Sequence, residues 1–424
     1  MIENKKELVT KSLVAVFVRV FGALASFLFS IVVARSLGAS ESGYFMLGLT
    51  VFTFVTTIAR VGLDDALIRF SGPAHNENND LMLKSILYSG LRMTFFSSSM
   101  FSICIYFCAD FISQYILEKP EMAPVLKSLI PAFFVFPFVG VLAFSFQGRE
   151  KIIQAISGLN IIHLGLTILL IKVIGTDSAI TTARFLSISV LISFGILFLN
   201  WYVGLSDEES KVQKIDLWTV AKPLWIVAIM SQIVQWSGQF IAAIYVSSEE
   251  MAYLAVAHRV SILTTFVLIA INLVVAPKFS ILFKESNIKG IKETSNFSVI
   301  LLLVSGIPVL AVLLVFPEFI LGFFGQEFLN AAPLLRVLAL GQFTNILTGS
   351  VGYLLTMSGN EKDLRNVMLI VTPISIVLCF ALTYKYGVMG SAVATATSIA
   401  LQSFLRTYFV NLRLGFNTML FWRK

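Results

Sequence analysis

Twelve apolar stretches, each long enough to cross a bilayer as a helix, recur along the chain at about 12–34, 43–62, 85–107, 125–146, 152–173, 178–202, 219–245, 251–275, 295–316, 333–357, 366–384 and 388–410. Roughly 20 apolar residues span a hydrocarbon core of about 30 Å as a helix, and helices satisfy their own backbone groups there. The expected fold is therefore an all-α polytopic membrane protein with twelve transmembrane helices. A chain that is 57% hydrophobic and only 13% charged has too little polar surface for a water-soluble fold of its 424 residues. The first run is too long for a signal-peptide core and lacks a small-residue cleavage site, so it reads as a retained helix. Between the runs lie short segments that leave no room for a catalytic domain. No Walker-type phosphate loop is present. His75, His163 and His258 are too dispersed for a ligand set, and Cys104, Cys108 and Cys379 lie in apolar runs without metal spacing and read as packing residues. No enzyme activity, metal or cofactor is expected, and the scattered cations behind the net charge of +7 offer no basic domain for nucleic acid.

Placing the N-terminus inside puts 20 of the 31 Lys and Arg residues in inner segments and 6 in outer ones, with 5 within spans. That bias predicts both termini cytoplasmic. The polar segment 204–218 divides the spans six and six, giving an N-terminal bundle over 1–203, a cytoplasmic linker and a C-terminal bundle over 219–424. Weak self-similarity follows across the divide. Gly148-Arg149-Glu150-Lys151 recurs as Gly359-Asn360-Glu361-Lys362, and Glu41 and Tyr44 recur as Glu250 and Tyr253. With an even number of helices per half, the two copies run parallel.

The first run carries one charge, Arg19. On a helical wheel, Gly22, Ala23, Ser26 and Ser30 fall on the arginine's side, while Phe17, Phe21, Leu24 and Leu28 cover the other. A mid-bilayer arginine costs roughly 2.5–3.5 kcal/mol and usually faces a bundle interior or a water-filled cavity. Two readings stand: Arg19 lines a cavity for an anion, or it snorkels toward Lys5, Lys6 and Lys11. Arg60 ends a face of Thr53, Thr56 and Thr57, with Asp64 one turn on. Arg92 shares its side with Tyr88, whereas Arg259 has apolar wheel neighbours. Arg184 and Arg406 are near enough to helix ends to snorkel. All 24 Asp and Glu residues map to loops or helix ends, so the deep guanidinium groups lack mid-span acids. A cavity lined this way suits an anion, and phosphate oxygens match the guanidinium fork. Arg19, Arg60, Arg92 and Arg259 are thus candidate diphosphate ligands, with Ser26, Ser30, Thr53, Thr56 and Thr57 as polar lining. Asp64 and His163 are the titratable candidates for coupling, against a plainer reading as a helix-end acid paired to Arg60 and a packed histidine.

The segments Val33–Phe45 and Thr50–Phe70 carry Ala34-Arg35-Ser36-Leu37-Gly38, Gly43-Tyr44-Phe45 and Gly62-Leu63-Asp64 ending in Arg69. With these motifs the chain resembles the polysaccharide repeat-unit flippases, the Wzx type of the multidrug/oligosaccharidyl-lipid/polysaccharide exporter superfamily. The resemblance implies two parallel six-helix bundles around a central cavity that opens alternately to each side. Its implied cargo is an undecaprenyl-diphosphate-linked oligosaccharide, moved across a bacterial inner membrane for O-antigen or capsule synthesis, with polysaccharide polymerase machinery as a partner. Related peptidoglycan-precursor flippases use arginines on the first, second and eighth helices, where Arg19, Arg60 and Arg259 occupy comparable places. Two alternatives stand beside this reading: a multidrug exporter of the same superfamily, and a membrane-embedded glycan polymerase or ligase. A missing mid-span acid weighs against the first, and short outer loops weigh against the second.

Overall fold

The computed structural model describes residues 2–77, 79–203, 215–358 and 360–418, and side chains from Phe17 onward apart from scattered positions. Most of the 204–218 linker, the Lys5, Lys6 and Lys11 side chains, and Gly359 of the repeated turn lie outside the described residues. No strand occurs among the described residues.

The chain divides into two compact units, one running from Val18 to Ile229 and the other built chiefly from Met230 onward. The first holds α1 (Ile2–Ala59), α2 (Leu63–Asn76), α3 (Asp80–Phe111), α4 (Met122–Ser128), α5 (Ile130–Gly148), α6 (Ile152–Ile156), α7 (Ile162–Ile174) and α8 (Ala179–Val203). Helix α9 (Trp218–Tyr245) begins in it. The second holds α10 (Ser248–Ser261), α11 (Leu263–Lys284), α12 (Ile288–Val315), α13 (Pro317–Gly322), α14 (Ala332–Thr348), α15 (Val351–Met357) and α16 (Glu361–Leu414).

Among the described residues, eight helices are long and apolar enough to cross a membrane, and two of these are bent back on themselves. Gly38 interrupts α1 at φ 71°, a conformation glycine adopts without steric cost. The arms meet across the bend, where the Phe29 and Phe45 rings pack edge-on 6.1 Å apart. Gly387 does the same in α16 at φ 58°. There the ends are tied by Arg413, whose Nε and Nη2 donate to Asp363 at 2.6 and 3.1 Å. Predicted runs 12–34 and 43–62, and 366–384 and 388–410, are therefore joined by single-residue bends. The predicted runs at 251–275 and 333–357 fall on α10–α11 and α14–α15, which are divided into shorter helices.

Each unit is organised on one central helix. In the first, α5 packs against α2, α3 and α8. Its spanning window is 72% buried, whereas that of α3 is 17% buried. In the second, α14 packs against α10, α11, α12 and α16. Corresponding terminators recur in the same order. Asn79 caps α3 by accepting the Met82 N–H, and Asn287 caps α12 by accepting the Gly290 N–H. Gly175 ends α7 at φ 77°, and Gly387 breaks α16. The two pairs are separated by 208 and 212 residues, close to the 209 and 211 of the sequence repeat.

The repeated acid does different work in the two copies. Glu250 completes a capping box with Ser247 at the start of α10. Glu41 instead reaches the first helical residue of α8, accepting the Ala179 N–H at 2.7 Å. Replacing Glu41 with Ala removes a charged acceptor from a helix N-terminus and is expected to lower stability by about 1 kcal/mol. A thermal unfolding midpoint unchanged from wild type would count against that cap.

Candidate functional site

Helix α1 presents the two faces its sequence predicts. Phe17, Phe21, Leu24 and Leu28 are all exposed, a surface suited to lipid on a spanning helix. Gly22, Ala23 and Ser30 are buried. A side chain at Gly22 would sit 3.3 Å from Asn160 and Ile156, so the small face lies against the π-helical turn Ser157–Ile161 that joins α6 to α7. Arg19, one turn earlier, is half-buried, and its Nε is buried with no hydrogen-bond partner. Among the described residues it makes no ion pair. This guanidinium is turned partly inward, and no carboxylate among the described residues completes it.

Arg60 is paired with Asp64, the plainer of the two readings of that acid. Its Nε and Nη2 donate to Asp64 Oδ1 and Oδ2 at 2.7 and 2.9 Å, and Nη1 donates to the Thr56 carbonyl at 3.3 Å. The acid lies one turn on in sequence, across the Gly62 turn, and the fork matches both its oxygens. The guanidinium also stands 5.8 Å from the Phe144 ring, in room left by Gly140, where a Cβ would come within 2.4 Å of Arg60 Cδ. Arg60 is 8% exposed, so its charge is largely spent inside the unit. Asp64 is correspondingly engaged. Replacing it with Ala strands a buried cation and should cost about 2 kcal/mol, discounted because the pair is partly exposed. The double variant Arg60→Met/Asp64→Leu should recover most of that loss in the same unfolding assay.

The threonines before Arg60 bond back along their own helix. Thr53, Thr56 and Thr57 hydroxyls donate to the carbonyls of Leu49, Phe52 and Thr53 at 2.8, 2.6 and 2.8 Å. Ser30 does the same to Ser26 at 3.0 Å. A hydroxyl whose hydrogen is used this way offers a ligand its lone pairs only. Such positions suit donors such as sugar hydroxyls better than phosphate oxygens. Thr53, Thr57 and Ser26 are half-buried, whereas Thr56 and Ser30 are buried.

Arg92 is exposed on α3 and does not share the Arg60 environment. It lines a cavity of about 790 Å³ with Val61, Tyr88, Phe96, Asp216 and Trp218. Arg184 is also exposed, at the start of α8. His163 is 4% exposed, and its ring packs edge-on to Phe136 at 5.0 Å. Its Nδ1 is buried without a partner.

In the second unit, Arg259 is half-buried and makes no hydrogen bond or ion pair among the described residues. Its neighbour His258 is 1% exposed, packs edge-on to Trp236 at 5.1 Å, and lies 3.2 Å from the Gln235 side-chain nitrogen. Arg406 is half-buried with Nε unpartnered, and a side chain at Gly352 would stand 3.8 Å from its Nη1. It thus packs against α15 with its Nε sealed from solvent, unlike the snorkelling side chain expected for it. Sequence reasoning missed Gly140, which leaves room for Arg60, Asn160, which packs at Gly22, and Trp218, which shares the Arg92 cavity, all placed by tertiary packing. It missed Gln235 as well, although a polar residue inside an apolar run was a readable signal.

Bent, apolar helices long enough to span a bilayer, packed through buried hydroxyls closed on their own backbones, describe an all-α polytopic membrane protein. Residues 8–283 match the family model described as polysaccharide biosynthesis protein, and the chain belongs to that family. Residues 227–381 also match the MatE model. Over 416 residues the chain is 24% identical to the probable low-salt glycan biosynthesis flippase Agl15 of Haloferax volcanii, covering 96% of this chain and 84% of the relative. Among solved structures, an inward-facing multidrug resistance MATE family transporter of the MOP superfamily aligns with a TM-score of 0.74 at 13% identity, over 94% of this chain and 98% of that one. The lipid II flippase MurJ in an inward closed conformation aligns with a TM-score of 0.72 at 17% identity, over 94% and 87%. The fold is that of the MOP superfamily.

Proposed function

We propose that the protein is a flippase that moves undecaprenyl-diphosphate-linked oligosaccharide repeat units across a bacterial inner membrane by alternating access, for O-antigen or capsule synthesis. The observation that carries this reading is Arg19, a cation on an apolar spanning helix whose inward Nε has no partner. A diphosphate supplies the missing charge, and its oxygens suit the guanidinium fork. Arg259 is the comparable free cation of the second unit, and Arg60 serves the fold through Asp64. The half-buried Thr53 and Thr57, with lone pairs to offer, suit the hydroxyl groups of the glycan. Further support comes from the family match and from likeness to a probable glycan flippase. In this reading the chain crosses the membrane twelve times, six crossings in 1–203 and six in 219–424, with both termini cytoplasmic and a polysaccharide polymerase receiving the product.

Depleting the protein in its own cells tests the cargo. Diphosphate-linked glycan should accumulate on the cytoplasmic leaflet while surface polysaccharide falls. Normal surface polysaccharide with no lipid-linked intermediate would contradict the proposal.

A further inference from the structure

The cavity on α3 is not used by the cargo reading above, and its lining describes a ligand of its own. Ser89, Arg92, Phe96 and Met100 lie three or four residues apart, so they stack along one helix face. The stripe is graded, with a hydroxyl and a guanidinium at one end and an aromatic ring and a thioether at the other. The same cavity is lined by Asp216 and Leu217, which lead into α9, and by Trp218, its first residue. A partly exposed tryptophan beside a polar helix start is a mark of the membrane–water boundary. The groove therefore joins Arg92 to a helix start that carries an interfacial residue type, while Phe96 and Met100 run on along an apolar spanning helix.

Arg92 makes no hydrogen bond or ion pair among the described residues. The acid in the same cavity is committed elsewhere. Asp216 Oδ1 accepts the Trp218 N–H at 3.0 Å, and Oδ2 accepts the Thr219 hydroxyl at 2.5 Å. Those hydrogen bonds, the Thr219 hydroxyl foremost, hold its carboxyl below the usual range. A carboxylate capping a helix N-terminus has its charge satisfied by the orphan amides there. What the groove lacks is one negative charge at Arg92 and an apolar chain beyond it. Phe96 is 67% exposed and Met100 58%, too much apolar surface to leave uncovered by hydrocarbon.

We infer that this groove holds one bilayer phospholipid with an anionic phosphodiester headgroup. The phosphate sits against Arg92 and Ser89, and one acyl chain runs along Phe96 and Met100. A phosphodiester carries one charge and matches one guanidinium. The site is a fixed lipid contact on the first unit, separate from the cargo cation Arg19.

Native mass spectrometry of the full chain in detergent, titrated with dioleoylphosphatidylglycerol, tests this. One lipid should be retained per chain, and Arg92→Gln should weaken its retention about tenfold, the loss of a charge-assisted hydrogen bond. Arg184→Gln, which removes another exposed span arginine, should leave retention unchanged. Equal retention by wild type and Arg92→Gln would overturn the inference, as would an equal loss in Arg184→Gln, which indicates diffuse charge. Glycerol phosphate competing as well as the whole lipid would remove the acyl-chain contact and overturn it too. Displacement by polyprenyl diphosphate at lower concentration, dependent on Arg92, would make the groove a cargo site instead. Arg92 is exposed, so its replacement does not put folding at stake.

Discussion

Replacing Arg19 with Ala is expected to stop glycan translocation in a protein that still inserts and folds. Two hydrogen bonds from one guanidinium to a phosphate oxygen pair contribute about 1.5–3 kcal/mol each, so their loss corresponds to roughly a hundredfold or more in binding. Arg19→Lys keeps the charge and loses the fork, and should retain an intermediate activity. Stability should move the other way. The Arg19 Nε is buried without a partner, and an unpaired cation in a span opposes insertion by roughly 2.5–3.5 kcal/mol. Arg19→Ala should therefore unfold at the same temperature as wild type or a higher one. Surface glycan and an unfolding midpoint, measured on the same variant, separate the cases. A fall in both would mean that Arg19 holds the fold together rather than the cargo.

Gly62→Val should be the most damaging single change to the fold. Gly62 has φ 75° between the end of α1 and α2, a left-handed conformation that β-branched residues resist. A Cβ there would stand 2.3 Å from the Ala221 carbonyl oxygen and 2.7 Å from the Trp225 backbone nitrogen. Both are backbone atoms, so α9 itself would have to move. That movement would break the hydrogen bond by which Trp225 Nε1 donates to the Ile58 carbonyl at 2.8 Å, which also accepts the Val61 N–H at the end of α1. Strain and lost packing together should cost roughly 3–5 kcal/mol. Gly195→Ala is the matched control, since a Cβ there meets nothing within 4 Å, and it should be neutral or slightly stabilising. Equal melting of the two variants would contradict the role given to Gly62.

Local patterns were readable and long-range ones were not. The two faces of α1 follow from a 100° step per residue, so Phe17, Phe21, Leu24 and Leu28 could be placed outward before any contact was known. The pairing of Arg60 with Asp64 was equally local. Its four-residue spacing was visible and gave the reading of Asp64 as a helix-end acid paired to Arg60. Distance from mid-span is a poor guide when a guanidinium can reach a full turn. The bends at Gly38 and Gly387 could not be read as bends, because glycine inside an apolar run also marks close packing. The expectation of loops there was natural, and the structure turns on single residues instead. Gly140 yields space to Arg60 from 80 positions away, and Trp218 shares a cavity with Arg92 from 126 away. No periodicity within one helix carries such pairs.

The most direct measurement is equilibrium binding of polyprenyl diphosphate to the purified full chain, with wild type compared against Arg19→Gln, and with neutral polyprenol as competitor. Binding by wild type that Arg19→Gln weakens at least about tenfold, and that polyprenol fails to displace, is the outcome expected of an unpaired guanidinium waiting for a diphosphate. Equal binding by the two proteins, or displacement by the uncharged polyprenol at matching concentration, would show that the chain holds its cargo by the hydrocarbon tail and that Arg19 has another task.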